Sequence, residues 1–198
     1  MNAVPPTAAA PDRQLVLPDK DHAAYAKAVE EHPSLRVEYL NGEIVMTPAR
    51  SPQHQIIAAN LMLLLGQFAK QKELGLVLAA PLDVILSREA QIAQPDLIFI
   101  AKSRLNKLVT RAAINGAPDL VIEILSPSTA RADRKVKLPL YARYGVSEYW
   151  IVDPEDRSVE IYALDGENYR VAGICLPGET VKVGHFAEAQ VPVNGIFA

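Results

Sequence analysis

Residues 118–129 read PDLVIEILSPST. From Leu120 to Leu125 every side chain is aliphatic except Glu123, and so apolar a run predicts a strand buried on both faces inside a sheet. A carboxylate in such a strand has to be paired, protonated or bound to a metal, because an isolated buried charge is strongly unfavourable. Two acids are candidates for its partner. Asp119 lies on the same face of the same strand, roughly 13 Å away at about 3.3 Å per residue, too far to share an ion whose ligand bonds are near 2.1 Å. Asp96, in QPDLIFI at 94–100, would stand about 5 Å from Glu123 if the two apolar runs pair side by side. Geometry therefore favours Asp96.

Working outward, LVLAAPLDVILS (76–87), AQPDLIFIA (93–101) and DLVIEIL (119–125) are strand-like, with a short basic helix over 103–111 between the last two. ARADRKVKLPLYARYG (130–145) has helical composition ending at Gly145, with a kink expected at Pro139. Upstream, Asp19 to Glu31 reads as an amphipathic helix, and Asn41-Gly42 supplies the turn of a hairpin in LRVEYLNGEIVMTP (35–48). Ser51 and Pro52 start a second helix, with Ile56, Ile57, Leu61, Leu64 and Phe68 at helical spacing and Gly75 closing it. SEYWIVD, RSVEIYAL and NYRVAGICL, joined by the turns PED and DGE, predict a C-terminal antiparallel meander. The class is α/β or α+β, a mixed central β-sheet flanked by helices. Residues 1–17, rich in Ala and Pro, read as a flexible N-terminal arm, and 18–198 as a single domain.

The 198 residues carry a net charge of −3, which argues against coating nucleic acid through bulk charge. Nine of the 20 basic residues nevertheless fall in two short segments, 102–111 and 131–143, which are either solvated faces or phosphate contacts. The single cysteine, Cys175, and the lack of a signal-like N-terminal pattern point to the cytoplasm. The longest apolar run, LMLLL at 61–65, is far short of the roughly 20 residues of a membrane span.

Two close carboxylates repel, and a divalent cation resolves the repulsion. Mg²⁺ takes oxygen ligands, usually one or two carboxylates with water or phosphate oxygens completing the shell. It can polarise a phosphodiester and activate water for in-line attack, with a Lys or Arg stabilising the transition-state charge. The structural alternative is that Asp96 and Glu123 end their strands in water or pair with basic residues.

VEYLNGEIVMTP, QPDLIFI, VIEILSPST and DRKVKLPLYARYGVSEYWIVDP, in that order over about residues 19–165, resemble the bacterial Uma-two family, within the PD-(D/E)XK or restriction-endonuclease-like nuclease superfamily. The resemblance implies a restriction-endonuclease-like core and a Mg²⁺-dependent endonuclease acting on nucleic acid, most readily DNA, with Mn²⁺ as a substitute ion and a homodimer to cut two strands. It implies Asp96 and Glu123 as metal ligands. The superfamily places a lysine two residues after the second acid, where this chain has Leu125; in the family the matching lysine sits on the following helix, at Lys137. Asp133, Lys137 and Tyr141 share one face of that helix, and Lys135 points about 160° away. Glu43, directly after Asn41-Gly42, matches a family acid that would support the metal, or else it pairs with a cross-strand base; Glu38 is its substitute. His54 would bond a phosphate or an active-site acid, or face solvent near its helix cap. The missing lysine at 125 also admits a nuclease-fold module of weak or no activity that binds nucleic acid or a protein.

Overall fold

The computed structural model describes residues 15–18, 22–87, 91–182, 184–186 and 188–198. β1 (Leu15–Pro18) and α1 (His22–Glu31) lead into the hairpin of β2 (Arg36–Leu40) and β3 (Glu43–Thr47). Asn41 and Gly42 sit at φ 53° and 82°, the positive values that a two-residue hairpin turn needs. Of the segment expected to be an arm, residues 1–14 lie outside the described residues, while 15–17 belong to β1, antiparallel to β3. The expected start of the first helix at residues 19–21 also lies outside them.

α2 (Pro52–Gln71) begins where Ser51 Oγ accepts the His54 N–H at 3.2 Å, with Pro52 in the first turn where a missing N–H is harmless. Its buried stripe is His54, Ile57, Leu61, Leu65 and Ala69. Ile56, expected on this stripe, is 53% exposed, because it lies about 100° round the helix from Ile57.

The chain continues through β4 (Gly75–Ala79), β5 (Val84–Ser87), β6 (Gln91–Ala93) and β7 (Leu97–Ala101), then a 3₁₀ turn at Lys102–Arg104 and α3 (Leu105–Leu108). Gly75 opens β4 rather than closing α2, which is capped at Lys72. A Cβ at Gly75 would lie 2.0 Å from the Ile100 carbonyl oxygen, so only glycine lets the two backbones approach there. β8 (Ile114–Asn115) and β9 (Leu120–Ile124) precede a helical stretch made of α4 (Ala130–Ala132), a π-helical turn over Asp133–Lys137, and α5 (Leu138–Arg143). The irregularity expected at Pro139 takes this form: Leu138 N–H reaches the Asp133 carbonyl, five residues back. β10 (Glu148–Asp153), β11 (Ser158–Asp165) and β12 (Asn168–Cys175) are the expected meander, followed by β13 (Thr180–Val181), β14 (Val191–Pro192) and α6 (Val193–Ile196).

Where one central sheet was expected, the strands divide into two six-stranded mixed sheets, β1-β3-β2-β6-β5-β8 and β12-β11-β10-β9-β7-β4, with β13 and β14 as a separate pair. β9 runs parallel to β10 and antiparallel to β7, with Leu97 opposite Ile122, Ile98 opposite Val121 and Phe99 opposite Leu120. Extending that register by one residue sets Asp96 opposite Glu123. Leu120, Ile122 and Ile124 pack with Leu61, Leu65 and Trp150 on the α2 side. Val121 and Leu125 pack on the other side with Ile98, Tyr141, and Leu40 and Val84 of the first sheet. Side chains alternate along a strand, so Glu123 points into the space between the two sheets. No helix of the described residues is long and apolar enough to cross a membrane.

The α2 stripe gives a direct test. Leu61→Ala should cost about 2–5 kcal/mol in urea unfolding, whereas Ile56→Ala should fall within about 0.5 kcal/mol of the wild type.

Candidate active site

β2 presents Arg36 and Glu38 on one face, two residues apart, toward the strand ends that carry Asp96 and Glu123. The Arg36 guanidinium then bonds three acids: Nη1 donates to Asp96 Oδ1 at 2.9 Å, and Nη2 to Glu38 Oε1 at 3.1 Å and Glu123 Oε2 at 3.2 Å. Asp96 and Glu123 are thus close enough for one cation to hold both. Asp96 also accepts from Arg50 Nη2 at 3.2 Å, His54 Nε2 at 3.1 Å and the Ile124 N–H at 2.8 Å.

The helical stretch supplies the other side. Lys137 Nζ donates to Glu123 Oε1 at 2.9 Å and lies 3.0 Å from Glu38 Oε1 and 3.3 Å from Asp133 Oδ1. Tyr141 donates its hydroxyl to the same Glu123 oxygen at 2.9 Å. Both contacts come from the face that helical spacing indicates, and Lys135 is exposed. Glu123 is 0% exposed and Lys137 1%.

The structure therefore gathers Asp96, Glu123, Lys137, Glu38 and His54, and leaves Glu43 outside. Glu43 stands opposite Leu40 at the turn end of the hairpin, on the same face as Glu38 but about 7 Å further along the strand, where it is exposed. Asp119 is engaged elsewhere, accepting from Arg104 Nη1 at 2.7 Å and the Ala101 N–H at 2.8 Å. The basic segments are partly committed too: Lys102 pairs with Glu73, and Arg134 with Glu160 and Asp153. Sequence reasoning missed Arg36 and Arg50. Alternation along β2 offered one signal for Arg36, since it shares a face with Glu38; Arg50, in the loop before α2, offered none.

Four carboxylates (Glu38, Asp96, Glu123 and Asp133) face three permanent cations (Arg36, Arg50 and Lys137) and the His54 ring. Burial raises every acid here, but the Arg36 guanidinium, helped by His54 and the Ile124 N–H, overrides it at Asp96 and holds that carboxyl at about 2. Arg36 and Lys137 likewise overcome burial at Glu38 and lower it. At Glu123 burial wins and pushes the carboxyl up to about 8. Burial also raises Asp133, whose two carboxylate oxygens have no hydrogen-bond donor within bonding geometry. Proton affinity is thus highest on the Glu123 and Asp133 side of the cluster.

These donors suit a hard divalent cation in kind, being carboxylate oxygens that converge on one cationic group. Among the described residues no group of three or more His, Cys, Asp and Glu is spaced to hold a metal directly; Arg36 and Lys137 bridge the acids instead. The Arg36 guanidinium bonds the acids that such an ion would use, so Asp96 and Glu123 would hold a divalent cation only in its place. A cleft of about 430 Å³ adjoins it, lined by Arg36, Arg50, Gln55, Pro81, Gln94 and Asp96 among others.

The Uma2 family, described as "Putative restriction endonuclease", matches residues 22–194. A crystal structure of "a putative nuclease belonging to DUF820" from Anabaena variabilis ATCC 29413 is similar in fold, with a TM-score of 0.67 and 22% identity over 81% of this chain and 89% of that one. No curated protein matches the chain.

The cluster makes two predictions. Lys137→Met leaves Glu38, Glu123 and Asp133 facing one another and should cost about 3–5 kcal/mol in denaturant unfolding, while Lys135→Met should change stability by less than about 0.5 kcal/mol. Because the folded value of Glu123 lies at about 8, above its ordinary 4.5, its proton stabilises the fold fully below the ordinary value. That contribution is lost as pH climbs through about 8. Stability of the wild type relative to Glu123→Gln should therefore decline steadily from pH 5 to pH 9 in urea titrations.

Proposed function

This chain belongs to the Uma2 "Putative restriction endonuclease" family, and we propose that it is a nuclease hydrolysing phosphodiester bonds in DNA, dependent on Mg²⁺ or Mn²⁺ held by Asp96 and Glu123. The observation that carries the reading is the sharing of one cation by two carboxylates on adjacent strands, with Lys137 Nζ 2.9 Å from the second of them.

When bound, the ion supplies a Lewis acid to the phosphodiester and lowers the pKa of an attacking water. Asp96 and Glu123 hold it from neighbouring strands, and Glu38, rather than Glu43, is the third acid of the site. Lys137, fixed by three carboxylates, orients the attacking water or offsets charge developing on the phosphoryl oxygens, in place of the lysine that Leu125 replaces. Arg36 and Arg50 line the cleft, where a guanidinium can bond a phosphate with two parallel N–H groups. The exposed Lys107, Arg111, Arg131, Lys135 and Arg143 contact the phosphate backbone, giving affinity without sequence information. A homodimer would bring two such sites to a duplex.

One observation favours a second reading. All the acceptor positions of Asp96 are taken by four protein donors, as in a module that binds nucleic acid without cutting it. Nicking of supercoiled plasmid with Mg²⁺ or Mn²⁺ separates the two. The nuclease reading expects Asp96→Asn and Glu123→Gln each to lose at least about 100-fold in rate, with Glu43→Gln within about twofold of the wild type. Cleavage that persists in Asp96→Asn would overturn the assignment, and salt-dependent binding without cleavage under either ion would establish the binding module.

A further inference from the structure

We propose that Arg36 is an exchangeable cation of the site. It occupies the place of the metal between Asp96, Glu123 and Glu38, and it swings into the adjoining cleft to hold the substrate phosphate when a divalent cation replaces it. The inference rests on the metal-dependent reading above and extends it to coupling between ion and substrate.

Position is the first support. Arg36 touches all three acids within 3.2 Å and also lines the cleft, whereas Asp96 is the only one of those acids that borders it. Arg36 therefore separates the cleft from Glu123, which is 0% exposed. Neither other cation meets this description: Arg50 bonds Asp96 alone among the acids, and Lys137 does not reach the cleft.

Charge is the second. Fully ionised, the four carboxylates exceed the permanent cations Arg50 and Lys137 by two negative charges, which fall to whatever sits between Asp96 and Glu123. A guanidinium neutralises one, and a divalent cation neutralises both. Were the ion to enter with Arg36 still in place, the cluster would instead carry an excess positive charge in a buried setting, which is unfavourable.

Incomplete bonding is the third. Arg36 Nε is buried and has no hydrogen-bond partner, so the guanidinium is held through its two terminal nitrogens only. A buried donor left unsatisfied favours any rearrangement that provides an acceptor, and a phosphate in the cleft provides several. Occupancy of the two positions is then linked: phosphate draws Arg36 outward and strengthens ion binding, and by reciprocity the ion strengthens phosphate binding.

Titration calorimetry with Mn²⁺ alone tests the exchange without reference to cleavage. Arg36→Met should bind Mn²⁺ at least about tenfold more tightly than the wild type, because the internal competitor is gone. A short DNA duplex with phosphorothioate linkages should tighten Mn²⁺ binding to the wild type and leave Arg36→Met unaffected. The double variant Arg36→Met with Glu38→Gln removes one charge of each sign, and it carries the same comparison if the single variant does not fold. Mn²⁺ affinity in these variants no tighter than in a wild type that binds the ion would overturn the exchange alone. Absence of Mn²⁺ binding from the wild type and both variants, or binding undiminished by Asp96→Asn, would overturn the metal-dependent reading itself.

Discussion

A carboxylate near the end of β9 with no exposure to water obliges the chain to bring cations to it, and much of the architecture is the means of delivery. Lys137 and Tyr141 come from the helical stretch after the strand, and Arg36 from a hairpin almost ninety residues earlier in the chain. The two sheets face each other across the one surface where Glu123 and Asp96 project, so the apolar packing of Ile98, Val121 and Tyr141 encloses the charges it surrounds. The enclosure is what makes the interactions strong, because the same low polarity that penalises an unpaired charge magnifies a paired one. It also makes them interdependent, since removing one cation exposes several acids to one another.

Stability alone does not account for such a cluster. Buried ion networks often contribute no more than well-packed apolar side chains of similar volume, and here a carboxylate pair with raised proton affinity and an unpartnered guanidinium nitrogen remain inside it. Perturbed titration beside a cleft is the pattern expected of groups arranged for chemistry.

The parts of this arrangement that were legible in the sequence are those governed by local period and register. Aliphatic runs around Glu123 and after Asp96 specified two buried strands, and strand spacing alone selected Asp96 over Asp119. Four-residue spacing put Asp133, Lys137 and Tyr141 on one face, and Asn41-Gly42 fixed the hairpin. What escaped depends on long-range packing. Whether two sets of strands join into one sheet or stack as two is decided by edges and twist, which leave no periodic signature. Glu38 and Glu43 lie on the same hairpin face, and only the depth of the second sheet over β2 tells which one is covered. Arg50 sits in a loop and reaches Asp96 across 46 positions of sequence, a contact no local pattern encodes.

Lys137 closes a π-helical turn. In an α-helix four residues overshoot a full turn by about 40°, so side chains at 133, 137 and 141 share one face but step gradually around it. The wider turn over Asp133–Lys137, closed by a bond from Leu138 N–H five residues back, takes up that overshoot. Lys137 and Tyr141, one α-helical turn apart, meet on a single oxygen of Glu123, both at 2.9 Å. Pro139 suits the irregularity because it has no N–H to offer a regular ladder at that point. Leu125 packs into the core with Val121 and Tyr141. The seating of Lys137 on Glu123 thus depends on how this helical stretch docks against β9 and not on the rigidity of the strand that carries Glu123.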